Sequence, residues 1–222
     1  MPISKAGGLD GYKFDDARLN SSHGYLLPTV LGILRNPGFL ETPRRLFELG
    51  CGNGAAANKL AAAGYNVTGV DPSEDGIRIA NSHFPHLKLS KGSAYDDLAK
   101  QHGQFPIVIS LEVVEHVYAP RKFAATLFDL VEPGGSAIIS TVYHGYWKNL
   151  ALAITGRLDA HFTALWDHGH IKFWSMKTLR QLLEEAGFQD VSILRVGRFP
   201  TLAKSMIAIA KKSTIHTQEG PR

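Results

Sequence analysis

Five short apolar runs recur along the first 141 residues: LFEL (46–49), NVTGV (66–70), LKLS (87–90), IVISL (107–111) and AIIST (137–141). Runs of this length, rich in Val, Ile and Leu, read as strands, the most apolar of them buried on both faces. Segments of helical character lie between them. AAANKLAAAG supplies one helix, with Gly64 as its C-terminal stop. Ser73 ahead of Glu74 and Asp75 starts another, acidic residues facing the positive end of its dipole. Pro120 suits a first helical turn, and Pro133-Gly134-Gly135 reads as a turn before the fifth strand. Helix SMKTLRQLLEEA, stopped by Gly187, leads to DVSILRV and MIAIAKK, which complete a seven-stranded sheet. Residues 1–20 are polar and irregular in pattern, and SHGYLLPTVLGILR begins an amphipathic helix expected beside the ligand pocket. Strands alternating with helices imply right-handed crossovers. The fold class is therefore α/β: a doubly wound, mostly parallel, Rossmann-like sheet with helices on both faces.

At 222 residues and 44% hydrophobic, the chain suits one domain over 1–222, with 1–40 as an N-terminal segment and helix. Twenty-four Lys plus Arg face 20 Asp plus Glu, a mild basic excess without the basic blocks that mark nucleic-acid binding. The lone cysteine, Cys51, excludes an internal disulfide and a multi-cysteine zinc site. No signal-like apolar core opens the chain and no run approaches membrane-spanning length, so a cytoplasmic location is expected.

The chemistry concentrates where the first strand ends. Gly50, Gly52 and Gly54 let the backbone turn tightly and let a ligand approach it, and Cys51 is a small residue in that loop. Gly50-x-Gly52-x-x-Ala55 also satisfies the dinucleotide pattern. Glu48 argues against that reading, because its carboxylate would repel a pyrophosphate and attract an ammonium. Asp71, at the end of the second strand, suits the two hydroxyls of a ribose. A ligand with an adenine, a ribose and a cationic amino-acid tail satisfies both carboxylates, and S-adenosylmethionine is such a ligand. Ser93 and Leu111 fall on the same sheet edge, Ser93 as a hydrogen-bonding residue and Leu111 as either ligand wall or ordinary core.

FELGCGNG, TGVDPS, ISLEVVEHV and VEPGGSAIIST stand in the order and spacing of class I S-adenosylmethionine-dependent methyltransferases. The chain resembles most the ubiquinone-biosynthesis O-methyltransferase group over about residues 40–195. The resemblance implies methyl transfer from S-adenosylmethionine, most readily to oxygen, a reversed final strand, and an insert after strand five. Transfer to nitrogen or sulfur, a non-catalytic cofactor-binding regulator and a nucleotide-dependent oxidoreductase are the alternatives; Glu48 disfavours the last.

Glu112, Glu115 and His116 are spaced i, i+3, i+4, which on a helical turn after strand four would put them on one face. Two carboxylates and an imidazole there suit Mg²⁺, or leave His116 as a general base. The insert, 142–175, holds all three tryptophans and His144, His161, His168 and His170. Its place after strand five predicts a helical lid over the reacting methyl, with a flat or greasy small molecule beneath. His168, followed by Lys172 and Phe173 as in the ubiquinone group, is a second candidate base. Within the insert, 146–158 carries Trp147, Leu150, Ala151, Ile154 and Leu158 near helical spacing. That stripe would pack as a lid on the core or rest on a membrane surface.

Overall fold

A computed structural model of the chain describes residues 14–40, 42–162, 164–166 and 169–214. Its strands are β1 (Arg45–Leu49), β2 (Asn66–Asp71), β3 (Lys88–Lys91), β4 (Phe105–Leu111), β5 (Val131–Val142), β6 (Gln189–Val196) and β7 (Ser205–Lys211). Its helices are α1 (His23–Ile33), α2 (Pro37–Leu40), α3 (Ala55–Ala62), α4 (Glu74–His83) and α5 (Leu98–His102), followed by α6 (Pro120–Leu130), α7 (Tyr146–Ile154), α8 (Leu158–Phe162) and α9 (Met176–Glu185). The strands form one sheet in the order β3-β2-β1-β4-β5-β7-β6. β7 runs antiparallel to both β5 and β6, so the final strand is reversed, and the other pairings are parallel. This is a Rossmann-like, doubly wound sheet.

Burial on both faces explains the apolar runs, because successive side chains along a strand point to opposite sides. Leu46, Ile107, Ile109, Ile138 and Ile207 pack with α1, α3 and α4 on one face. Phe47, Val108, Ile139, Met206 and Ala208 pack with α6 and α9 on the other. The helix starts follow their sequence signals. Ser73 Oγ accepts a hydrogen bond from Gly76 N at 3.1 Å ahead of α4, and Pro120 opens α6.

Two local expectations are corrected. Pro133-Gly134-Gly135 does not precede the fifth strand but sits within its span. Val131 already pairs with Phe105, the ladder resumes at Ser136 opposite Ile107, and Gly134 (φ +82°) lets the chain swing out between them. The segment after β4 is a non-helical turn, so Glu112, Glu115 and His116 do not share a helical face. Glu112 adopts φ +55°, a conformation costly for a side-chain-bearing residue and characteristic of functional corners.

Candidate active site

The strand order reverses between β1 and β4, and an open α/β sheet binds ligands at such a switch point, outside the carboxyl ends of its strands. The loops after β1, β2 and β4 meet there. Gly50 N and Cys51 N both donate to Val70 O, at 2.8 and 3.0 Å, which ties the glycine loop to β2. Gly50 and Gly52 take φ of +88° and +52°. A Cβ at Gly50 would stand 2.4 Å from Val113 Cγ2, and one at Gly52 would stand 2.6 Å from Phe14 Cζ. A side chain at either position would be strained by the positive φ and would have to displace Val113 or Phe14. Asn53 Nδ2 donates to the carbonyls of Asp16 and Arg18, so the segment ahead of α1 is fastened to the same loop.

Asp71 organises this corner. Its Oδ2 accepts from Gly52 N at 2.9 Å and its Oδ1 from Ser73 N at 2.8 Å. Each carboxylate oxygen keeps a second lone pair for a ligand hydroxyl. Burial raises the Asp71 pKa while these two amides oppose the shift. Glu48 is 2% exposed, and its Oε2 has no hydrogen-bond partner among the described residues. Burial, then the neighbouring Asp71 charge, pushes its pKa up to about 8. A buried carboxylate without a partner is costly, and a cationic group seated against it would recover that cost. Cys51 is buried, and desolvation holds its thiol well above the ordinary range, which is not the setting of a nucleophile. Ser93 follows β3, and its Oγ accepts from Tyr95 N at 3.2 Å. Leu111, at the end of β4, is buried within the core packed on α1, α3 and α4.

On the other side of the switch point, Glu112 is fixed by hydroxyls. Its N donates to Ser140 Oγ (3.0 Å), whose proton returns to Glu112 Oε1 at 2.9 Å. Ser205 Oγ donates to Oε2 at 3.3 Å, which leaves Tyr25 Oη as the donor in its 2.9 Å bond with Ser205. Burial raises the Glu112 pKa to about 7, opposed by these hydroxyls and by Lys148. Glu112 is therefore turned away from the expected metal trio. The ligating atoms that do lie within 4.8 Å of one another belong to Glu115, His116 and His170. Glu115 is 1% exposed and raised well above the carboxylate range by burial and by Glu112. His116 Nδ1 lies 3.2 Å from Gly169 O; a carbonyl only accepts, so Nδ1 carries the hydrogen in that contact. The His170 ring is 4.9 Å from that of His116, and burial followed by the His116 and His161 charges lowers its pKa to about 4.

His170 reaches this place because the return leg of the insert is sewn to the loop after β4. Ile171 N and Lys172 N donate to Glu115 O, and Trp174 Nε1 donates to Val114 O at 3.1 Å. His168, the second candidate base, lies outside the described residues. Of the stripe that offered either a packed lid face or a membrane contact, Trp147 (65%) and Ile154 (77%) face solvent. The opposite side of that helix turns inward because Lys148 Nζ is held by Tyr143 O at 2.7 Å. Sequence reasoning passed over Tyr25 and Ser205 and did not connect His170 or Lys148 with the site. Only His170 carried a signal, as one of the histidines clustered in the insert.

Comparison with known proteins agrees with this geometry. A family model described as a methyltransferase domain matches residues 28–193. The ubiquinone biosynthesis O-methyltransferase of Aromatoleum aromaticum is 29% identical over 170 residues, covering 75% of this chain and 72% of that protein. Its namesake from Ruegeria pomeroyi is 33% identical over 154 residues, covering 66% of this chain and 60% of the relative. Part of each relative thus has no counterpart in the match. The magnesium protoporphyrin IX methyltransferase of Synechocystis, solved with bound SAH, shares the fold with a TM-score of 0.62. That likeness holds at 21% identity and covers 85% of this chain and 82% of the other. A glycine cradle, a paired carboxylate corner and a sheet with a reversed last strand thus meet in one molecule, and the chain belongs to the S-adenosylmethionine-dependent methyltransferases.

Proposed function

We propose that the chain methylates oxygen on a small aromatic or lipid-linked acceptor, with Glu48, the Gly50–Gly52 loop and Asp71 holding the cofactor and His116 serving as base. Bound S-adenosylmethionine supplies an electrophilic methyl group on a sulfonium. The protein's part is to align an acceptor with that methyl and to take the hydroxyl proton. Glu48 offers the ammonium its partnerless oxygen, Asp71 offers the ribose its remaining lone pairs, and the backbone of Gly50 and Gly52 permits close approach. Ser93 and Leu111 complete the adenine end in this reading.

The observation that carries the oxygen assignment is the His116 arrangement. Its Nδ1–H is held by Gly169 O, which orients the ring, and buried Glu115 and neutral His170 stand within reach. An amine or thiol acceptor has less need of such a base. A divalent ion is not built into this proposal, because two imidazoles and one carboxylate suit softer metals than Mg²⁺. Segment 142–175 acts as the lid, its return leg anchored on Glu115 O and its α7 and α8 carrying no buried residue. The exposed face of α7, with Tyr146 at 73%, favours a second role for 146–158 as a contact with an apolar surface at the membrane. Among the described residues no helix is long and apolar enough to cross one, and a cytoplasmic enzyme touching the membrane peripherally is the reading that fits. Incubation with S-adenosylmethionine and matched phenol, amine and thiol acceptors tests the assignment by product mass. Methylation confined to the amine or thiol would overturn it, and no methyl transfer with intact cofactor binding would favour a regulator.

A further inference from the structure

A cavity of about 460 Å³ opens beside the site just described, between α1, α7, the end of β5 and the start of β7. Its floor is polar and is part of the catalytic corner: Ser205 binds Glu112 there, and His170 reaches in from the return leg. One wall is apolar, formed by Ala151, Leu152 and Leu202. The mouth is basic. Arg157, Arg198 and Lys204 line it and are solvent-exposed, while Lys148 is half-buried deeper in. None of these four cations enters an ion pair among the described residues, although five such pairs form elsewhere.

Resting on the methyltransferase reading, we propose that this cavity is the acceptor site and that the acceptor carries a carboxylate or phosphate. The anion would lie against Arg157 and Arg198, the apolar body on Ala151, Leu152 and Leu202, and the hydroxyl to be methylated toward Ser205 and His170. A guanidinium fork recognises either anion through two parallel hydrogen bonds. The cavity's size suits a small molecule of this kind. The mutual repulsion of the cations points the same way. Lys148 is lowered to about 8 by burial and then by the Arg198 charge, with Glu112 opposing, and His161 is lowered by burial and then by Lys148. A bound anion relieves that repulsion, and a neutral acceptor leaves it in place. The opposed polarity of floor and mouth also fixes which end of the acceptor meets the methyl group.

The test is calorimetric titration of protein saturated with S-adenosylhomocysteine, using protocatechuate against neutral catechol and phenyl phosphate against phenol. At least one acid should bind about ten-fold or more tightly than its neutral partner, a difference readily resolved as a free energy. Which acid wins separates a carboxylate acceptor from a phosphate one. In R157Q/R198Q that advantage should fall to within about two-fold, with the affinity for S-adenosylhomocysteine unchanged. Both arginines are exposed, and retained S-adenosylhomocysteine binding reports that the variant is folded. Equal binding of acid and neutral partner by the wild type, or an advantage that survives in R157Q/R198Q, overturns the anionic acceptor and leaves the methyltransferase reading standing. Failure of the wild type to bind S-adenosylhomocysteine overturns both.

Discussion

The two sides of the switch point are built in opposite ways. The β1 side is built from two short adjoining turns whose amides are tied down: Gly50 and Cys51 to Val70 O, Gly52 and Ser73 to Asp71. The β4–β7 side is assembled from distant pieces. Tyr25 and Ser205, joined by one hydrogen bond, are 180 residues apart, and the intervening α7 and α8 bury no residue. Rigidity belongs where an invariant ligand must be held in one pose. A segment anchored at its ends and loosely packed between them belongs where a ligand must enter and leave.

The sharpest way to break this contrast is at Asp71. Its carboxylate fixes the loop and, in the function proposed above, binds the ribose, so Asp71→Ala should weaken S-adenosylmethionine binding by about 1.5–3 kcal/mol, the usual range for losing hydrogen bonds to a charged group. Acid binding in the basic cavity should persist. Normal cofactor affinity in the variant would remove Asp71 from the ribose site.

Glu48 gives a smaller but more specific signal. Its pKa in the free protein is pushed up to about 8, so at pH 7 it holds a proton that an ammonium partner would displace. Cofactor binding at pH 7 should then release up to about one proton, read as a dependence of the binding heat on buffer ionisation enthalpy, and Glu48→Gln should abolish that dependence. The sign for stability follows. A carboxyl with a raised folded-state pKa favours folding most below the ordinary carboxylate range, and that contribution is lost as pH rises through about 8. The free wild type should therefore lose stability over that window relative to Glu48→Gln. A buffer-independent heat would sink the ammonium assignment. Glu48→Gln itself should weaken the cofactor less than Asp71→Ala, because its carbonyl still accepts.

How far each side was legible in the sequence follows from the same contrast. The geometry of the β1–β2 corner could be read because its constraints are local: positive φ favours glycine at Gly50 and Gly52, and strand length places Glu48 and Asp71 near strand tips. The reversed β7 came only through family resemblance, since nothing in MIAIAKK specifies direction. The turn after β4 was misjudged because i, i+3, i+4 spacing is informative only where the backbone is helical. Here hydroxyls from β5 and β7 hold Glu112 at φ +55° instead. Which side of α7 turns inward was left open in the sequence for a related reason. Lys148 finds the carbonyls of Tyr143 and Lys204, and that tether rotates the apolar stripe outward.

Within the insert, the two tryptophans should separate. The Trp166 ring meets His116 edge-on at 6.0 Å and His170 at 5.3 Å, whereas Trp147 touches only Tyr146 among the described aromatic contacts. Trp166→Ala should lower kcat/KM for the acceptor by roughly three- to ten-fold, the scale of one or two aromatic contacts. Trp147→Ala should leave soluble acceptors within about two-fold and reduce only binding to lipid vesicles. Equal effects of the two on a soluble acceptor would restore the inward-packed lid. Cofactor affinity should change in neither variant.

The smallest expected effect is that of a chelator. A site poised for Mg²⁺ presents hard oxygen ligands, usually carboxylates with retained waters. Here Glu112 spends both oxygens on Ser140 and Ser205, and the cluster left behind contributes one carboxylate and two imidazoles. Moving Glu112 into that cluster would break both hydroxyl bonds and the Tyr25–Ser205 link behind them. Turnover in excess chelator should therefore stay within about two-fold of the untreated enzyme, and added Mg²⁺ should not raise it, because in the proposed function His116 removes the proton. Replacing His116 by asparagine should lower kcat by about a hundred-fold or more with cofactor affinity retained, the range of a lost general base. A chelator-induced loss restored by Mg²⁺ would show that Glu112 leaves its serines in the working enzyme and would move the base role from His116 to a metal-bound hydroxyl.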